Sequence, residues 1–382
     1  MRIETIAVHS GRKTDEATKS VTPPIYLSTT FEREKNGSYP KGFNYSRSNN
    51  PNREALEKCL TDLEGGTETA AFSSGSAAAM SILQTLEPGS HIIAPDDMYH
   101  GNRRLMQIFE RWGIITSFVD MTNLIEVEKA VNENTKLIWT ETPSNPLLKI
   151  YDLKSIAVLA KRAKAFTVCD NTWPTPILQR PFDFGIDLAL HATTKYIGGH
   201  SDVLGGAVIT NSDNTTFQKI REIQQTGGAV PSPFECWLVL RGIQTLPLRI
   251  NYQSNSAMKI AEFLSTQKNV SHVHYPGLKS HPGFAIVKKQ MKLFGGMLSF
   301  QVKGGKDKAM EIAANMKIFT RATSLGGPES LIEHRASVEG PNTKTPDNLL
   351  RLSIGLENPN DLIEDLEHSL SKPHPAAAGL FC

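Results

Sequence analysis

Lys195 lies in HATTKYIGGHSD, residues 191–202, a stretch of small, hydroxylated and glycine side chains that continues an apolar run. A strongly hydrated ammonium in that setting serves as an ion-pair partner, a phosphate contact or a covalent catalyst. Two further polar features also close apolar runs. In SSGSAAAM, residues 73–80, Ser74, Gly75 and Ser76 precede a helical pattern. Backbone N–H groups at such a start can hold a phosphate, although a plain turn has the same composition. Asp170 ends the run AFTVC, where a carboxylate either caps the next helix or pairs with a protonated heterocycle.

A phosphate cradle, an acid for a ring nitrogen and an amine for an aldehyde are together what pyridoxal phosphate (PLP) requires. The lysine anchors the cofactor covalently, is displaced by the substrate amine, and then carries protons between substrate carbons. Arginine stays protonated and cannot take this part. Asp170 would keep the ring nitrogen protonated, so that the ring accepts electrons released at the substrate.

These groups need a scaffold that brings strand ends together. From Pro51 onward, apolar strand patterns (TAAF, HIIAP, ITSFVD, KLIWTETP, AFTVCDNT, DLALHATT, GGAVIT) alternate with helical ones such as GNRRLMQIFERWG and DLKSIAVLAKRA. That alternation describes an α/β fold with a mainly parallel sheet covered on both faces, and the crevice beyond the carboxyl ends of its strands is the place for a ligand. A helix starting near Leu246 bridges into a smaller α+β pattern that includes NVSHVHYPG, GGMLSFQVKGG and LLRLSIG. The reading is therefore a large domain over 51–245 and a smaller one over 246–382. Residues 1–50 are rich in turn formers (NGSYPKGFNYSRSNNP) and have little to fold around by themselves.

With 41 basic and 39 acidic residues interspersed along 382, the chain shows no basic face for nucleic acid. No run of apolar residues is long enough to span a membrane and the opening MRIETIAVHSGRK lacks a signal-peptide core, so the expected location is cytoplasmic. The gaps between Cys59, Cys169, Cys236 and Cys382 match no zinc or redox spacing, and free thiols are expected. The end SKPHPAAAGLFC reads as flexible, with Cys382 exposed. His191, His200 and the group His272, His274 and His281 lack the acid or cysteine that would complete a metal site, and no metal is expected.

Almost the whole chain, from ETIAVHSG to DNLLRLSIGLENPNDLIEDL, resembles the Cys/Met-metabolism (trans-sulfuration) family of PLP enzymes. YSRSNNPNREALE, SSGSAAAM, DDMY, ETPSNPLLKI, CDNTW, ATTKYIGGHSD, RGIQTLPLR, SLGGPESLIEH and LRLSIGLE follow the family's order. The resemblance implies the fold-type I, aspartate-aminotransferase-like architecture: a mostly parallel mixed sheet in the large domain and a smaller C-terminal α+β domain. It implies that Lys195 is the covalent anchor and proton carrier, that Asp170 pairs with the ring nitrogen, and that Tyr99 stacks on the ring and takes part in proton transfer. Gly75 and Ser76 would supply phosphate-binding backbone groups and Thr194 a hydroxyl. Tyr45 and Arg47 match residues that reach into a neighbouring subunit's site, the arginine to phosphate. That gives residues 1–50 the purpose of completing a homodimer's sites, within a homotetramer. Arg351 would clamp the substrate α-carboxylate, Asn145 would lie near cofactor and substrate, Ser324 would position the lysine amine, and Thr323 would line the substrate pocket.

The resemblance implies a lyase of the cystathionine gamma-lyase type, which cleaves the Cγ–S bond of an amino-acid substrate to give 2-oxobutanoate, ammonia and a thiol. Gamma-replacement, as in cystathionine gamma-synthase or an O-acylhomoserine sulfhydrylase, is the alternative, followed by cystathionine beta-lyase and methionine gamma-lyase. Several positions depart from the usual patterns. Ser76 stands where an apolar residue is common, Ala192 where many members have serine, and Thr323 where many cystathionine gamma-enzymes have glutamate. Leu325 replaces a tryptophan typical of bacterial beta-lyases, and Gly101 falls where a methionine gamma-lyase cysteine is expected. In place of HPAS-x-TH stands His334–Gly340, whose Arg335 and Glu339 read either as receptors for a polar distal group or as a surface ion pair.

Overall fold

The computed structural model describes residues 1–341 and 343–371; Cys382 and the end of the chain expected to be flexible lie outside the described residues. The chain divides into two units, one formed by Met1–Thr142 with Tyr151–Pro247, the other by Pro143–Ile150 with the residues from Leu248 onward. The break after Pro247 falls beside the boundary read near 245. The segment Pro143–Ile150, read within 51–245, groups with the second unit instead. The physical reason is a turn closed by Ser144 N–H on the Lys149 carbonyl, whose Pro146 carbonyl accepts from Ser299 Oγ at 2.8 Å.

The first unit is built on seven strands: β1 (Glu68–Phe72), β2 (His91–Pro95), β3 (Ile115–Val119), β4 (Thr135–Glu141), β5 (Phe166–Asp170), β6 (Leu188–His191) and β7 (Gly206–Thr210). Their order is β1-β7-β6-β5-β4-β2-β3. Only β7 runs antiparallel to its neighbours, so β1 to β6 all point the same way. Alternate residues feed two cores. Ile92, Ala94, Leu137 and Trp139 pack on one side with the helix Gly75–Leu83, and Ile93 and Ile138 pack on the other with Ile156 and Leu159. This is why the strands read as unbroken apolar runs.

Helix ends follow local chemistry. Asn50 accepts from Asn52 N–H ahead of Pro51–Glu64, and Gly65, at φ +76°, ends that helix in a conformation glycine adopts freely. The second unit holds β8 (Val270–His274), β9 (Met297–Val302), β10 (Thr320–Arg321), β11 (Leu331–His334) and β12 (Leu349–Ser353), in the order β10-β11-β12-β9-β8. All pairs but β10–β11 are antiparallel. One face packs on the helices Gly305–Asn315 and Pro359–Ser371 through Ile312, Leu362 and Leu366. Among the described residues no helix is long and apolar enough to cross a membrane.

Candidate active site

Because β1, β2, β4, β5 and β6 are parallel, their carboxyl ends share one edge of the first sheet. Gly75 and Ser76 follow β1, Tyr99 follows β2, Asp170 ends β5, and Lys195 lies four residues past β6. The structure thus brings these five sequence-nominated residues to one edge. Ser74 caps the helix Gly75–Leu83 by accepting from Ala77 N–H. The N–H groups of Gly75 and Ser76 sit in the first turn, where the helix itself has no acceptors for them. A Cβ on Gly75 would stand 2.7 Å from the Cβ of Ala192. Glycine is therefore what lets this helix start meet the β6 exit.

Asp170 is 8% exposed. Its carboxylate accepts from Thr172 N–H at 3.1 Å and from the Asn102 amide at 3.3 Å. Burial raises its pKa above the ordinary carboxylate value; Thr172 and Asn102 hydrogen bonds and the nearby His191 act the other way. The Thr172 hydroxyl accepts from Ala192 N–H at 2.9 Å, which ties the ends of β5 and β6. One level deeper, His191 Nε2 meets Glu64 Oε2 at 2.7 Å with both side chains wholly buried. Glu64 Oε1 accepts from Asn171, which also pairs with Gln179. His191, weighed above for a metal, is thus the partner of a buried acid. Among the described residues there is no group of three or more His, Cys, Asp or Glu able to hold a metal ion. Glu64→Ala leaves two buried donors without acceptors and a void, so unfolding free energy should drop by about 2–5 kcal/mol in chemical denaturation. A loss below about 1 kcal/mol would show that the pair is not a support of the β5–β6 edge.

The Lys195 segment leaves β6 as a tight turn, with Lys195 N–H bonded to the Ala192 carbonyl and Gly199 N–H to the Lys195 carbonyl. Lys195 is half-buried. The Thr194 hydroxyl accepts from Gly205 N–H at 3.0 Å and donates to the Gly205 carbonyl at 3.2 Å. Its proton is engaged within the chain, and donation to a phosphate would have to displace that bond. Tyr99 donates its N–H to Glu141 Oε2 at 2.8 Å and is 42% exposed. A Cβ on Gly101 would fall 2.4 Å from the Tyr99 ring, which explains the glycine in YHGN. Tyr45 and Arg47 are exposed, on a segment whose carbonyls at Ser46 and Arg47 accept from the buried Arg53. Arg47 lies over the Tyr45 ring and donates to the Gln225 carbonyl.

In the second unit, Arg351 is 4% exposed. Its guanidinium donates to Asn145 Oδ1 at 3.1 Å, to the Ser324 carbonyl at 3.2 Å and to Glu333 Oε2 at 2.5 Å. This gathers three nominated residues, Arg351, Asn145 and Ser324, around one guanidinium. Ser324 has φ +86°, a left-handed conformation that side chains resist and that recurs at binding sites; its neighbour Thr323 is exposed. Arg335 and Glu339 are not a surface pair. They lie 2.9 Å apart with side chains only 6% and 7% exposed, and Arg335 also meets Glu333 at 3.1 Å. Sequence reasoning missed Glu333, as it missed Asn102, Glu141 and Glu64.

The residues at the first sheet's edge fit PLP. Asp170 is a buried carboxylate that burial disfavours as an anion, so a cationic ring nitrogen would relieve it. The helix start at Gly75 and Ser76 offers first-turn N–H groups that have no acceptor within the helix, and Lys195 supplies the amine. Bound there, PLP supplies the electron sink for the bond electrons released at the substrate. Fold and donor set together define a fold-type I PLP enzyme.

The family model for "Cys/Met metabolism PLP-dependent enzyme" matches residues 4–371, and the chain belongs to this family. It is 46% identical over 373 residues to a cystathionine gamma-synthase of Mycobacterium tuberculosis, covering 96% of each chain. It is equally 46% identical over 379 residues to a cystathionine beta-lyase of Lactococcus lactis subsp. cremoris, covering 97% of this chain and 99% of the relative. The crystal structure of metB from Corynebacterium glutamicum superposes with a TM-score of 0.95 at 42% identity, covering 98% of this chain and 99% of the other.

Proposed function

We propose that this enzyme is a PLP-dependent C–S lyase of the gamma-lyase type. It acts on cystathionine or a related γ-substituted amino acid and releases 2-oxobutanoate, ammonia and a thiol. Lys195 carries protons between substrate carbons, Tyr99 stacks on the cofactor and passes a proton toward the leaving group, and Asp170 holds the ring nitrogen. Gly75 and Ser76 N–H groups and the Thr194 hydroxyl bind phosphate. Arg351 and Asn145 bind the substrate α-carboxylate, Ser324 positions the lysine amine, and Thr323 lines the pocket.

The observation that carries elimination over replacement is the burial of Arg335 and Glu339 in ion pairs of their own. Neither is left to order the charged end of a separately bound cysteine, which replacement needs, and position 323 is threonine. The cysteine half of cystathionine is held by its covalent link to the α-amino-acid end, so elimination can proceed without a distal receptor. Gamma-replacement is the second reading, supported by the 46% identity to a gamma-synthase, as beta-elimination is supported by the equal identity to a beta-lyase. A product screen separates them. Cystathionine, homocysteine, methionine and O-acylhomoserines are supplied with and without cysteine or sulfide. Elimination predicts 2-oxobutanoate from cystathionine in the absence of added thiol. Rapid cystathionine formation from an acylhomoserine would establish replacement, and exclusive pyruvate would establish beta-elimination.

Residues 1–50 are assigned to the neighbouring subunit's site, with Tyr45 and Arg47 reaching its cofactor in a homodimer within a homotetramer. Support comes from the exposure of apolar side chains in this segment, with Val21 85% and Leu27 71% exposed. Sedimentation at a monomer mass would remove this assignment.

A further inference from the structure

We propose that Arg335 is a positioning residue for substrate binding: by sharing the Glu333 carboxylate, it keeps Arg351 able to accept the substrate's α-carboxylate. The proposal rests on Arg351 being the group that binds that carboxylate. Glu333 on β11 faces Arg351 on β12 in direct antiparallel register. A single oxygen, Glu333 Oε2, accepts from Arg351 Nη2 at 2.5 Å and from Arg335 Nη1 at 3.1 Å. Arg335 then turns its Nε and Nη2 to Glu339 Oε1 at 3.2 and 2.9 Å. Glu339 Oε2 in turn accepts the hydroxyls of Thr343 and Thr345. The short helix Arg335–Glu339 carries the Arg335 and Glu339 charges at one-turn spacing. The result is a buried line of alternating charge, Glu339–Arg335–Glu333–Arg351.

The line matters because a buried acid touching a substrate-binding arginine is a competitor. Glu333 and a substrate carboxylate seek the same guanidinium, and low local polarity makes that competition strong. Arg335 draws part of the Glu333 charge toward itself. Without it, Glu333 and Arg351 close into a one-to-one ion pair that an incoming carboxylate must oppose. Glu339 fixes the Arg335 fork through two donors, and the two threonines hold Glu339.

The test uses holoenzyme, with the dissociation constant of glycine, which has no γ-substituent to lose, read from the cofactor absorbance. Steady-state KM and kcat and the melting temperature are measured alongside. Arg335→Gln should raise the glycine Kd and the substrate KM about tenfold or more, with a much smaller change in kcat. Adding Glu333→Gln to Arg335→Gln should restore most of the affinity, because the competing charge is gone. If Arg335 merely supports the fold, the double variant binds no better than the single one, and the proposal is overturned. If Arg335→Gln does not fold, Arg335→Lys carries the same test, with a smaller rise in Kd reversed by Glu333→Gln. Arg351→Gln separates the two levels. Unchanged glycine binding there removes the carboxylate reading itself. Weakened binding there, with no effect of Arg335→Gln, removes only the role of Arg335.

Discussion

Lys195→Ala protein is expected to lack the visible absorption of lysine-anchored cofactor even after PLP is added, and its turnover should fall by at least about four orders of magnitude. In the proposed function the amine at this position serves twice, as covalent anchor and as the base that takes the substrate's α-proton, so both functions would go with one side chain. Lys195→Arg is the informative companion. It retains the cation on the half-buried turn after β6 but has no neutral amine at working pH. Equal loss in both variants assigns the effect to the amine rather than to the charge. Absorbance spectra and product release are the readouts. A Lys195→Ala variant retaining about a tenth of wild-type turnover would remove Lys195 from the chemistry.

Asp170→Asn is expected to move activity and stability in opposite directions. Turnover should fall by about 10²–10³-fold, because in the proposed function the ring nitrogen would lose the anion that keeps it protonated. The apoprotein, by contrast, should become more stable at neutral pH. Burial raises the Asp170 pKa from its ordinary 3.8. Between the ordinary and the raised value, the folded apoprotein holds a proton that the unfolded chain has released. Stability from this group is therefore complete below the ordinary value and is lost as pH rises through the raised one. Asparagine has no such titration. Denaturation of apoprotein across that pH range should show wild type declining relative to Asp170→Asn. Parallel curves would mean that Asp170 is not a strained anion awaiting a cationic partner.

Much of the first unit was legible because its strands end in chemistry. TAAF–SSG, HIIAP–DDMY, FTVCD and LALH–ATTK each read as an apolar strand followed by polar residues, and parallel strands place such ends on one edge. What stayed hidden depended on partners far away in sequence. Glu64 closes a helix in TDLEG, with nothing nearby in sequence to mark it, and its partner His191 lies 127 positions on. Arg335 and Glu339 left two readings open, because the residue that decides between them is Glu333. A signal existed there: LIEH and LLRLS each carry one charge inside an otherwise apolar strand. Opposite charges buried in two strands are best satisfied by each other, which would have suggested the register that β11 and β12 adopt. The segment Pro143–Ile150 was hidden for another reason, since PSNP looks like any turn and only its acceptors show where it belongs.

That segment also sets an order of events during synthesis. Asn145 leaves the ribosome 206 residues before Arg351, whose guanidinium it will accept, and Pro146 precedes Ser299 by 153. The early turn must wait for the late strands, so the second unit cannot finish as the chain passes Pro247. Nor can that unit be cut out as a C-terminal fragment. A chain started at Leu248 would make β9 and β12 but lack the loop that Ser299 and Arg351 hold. Circular permutation at an exposed loop would preserve both partners, whereas simple truncation deletes one from each pair.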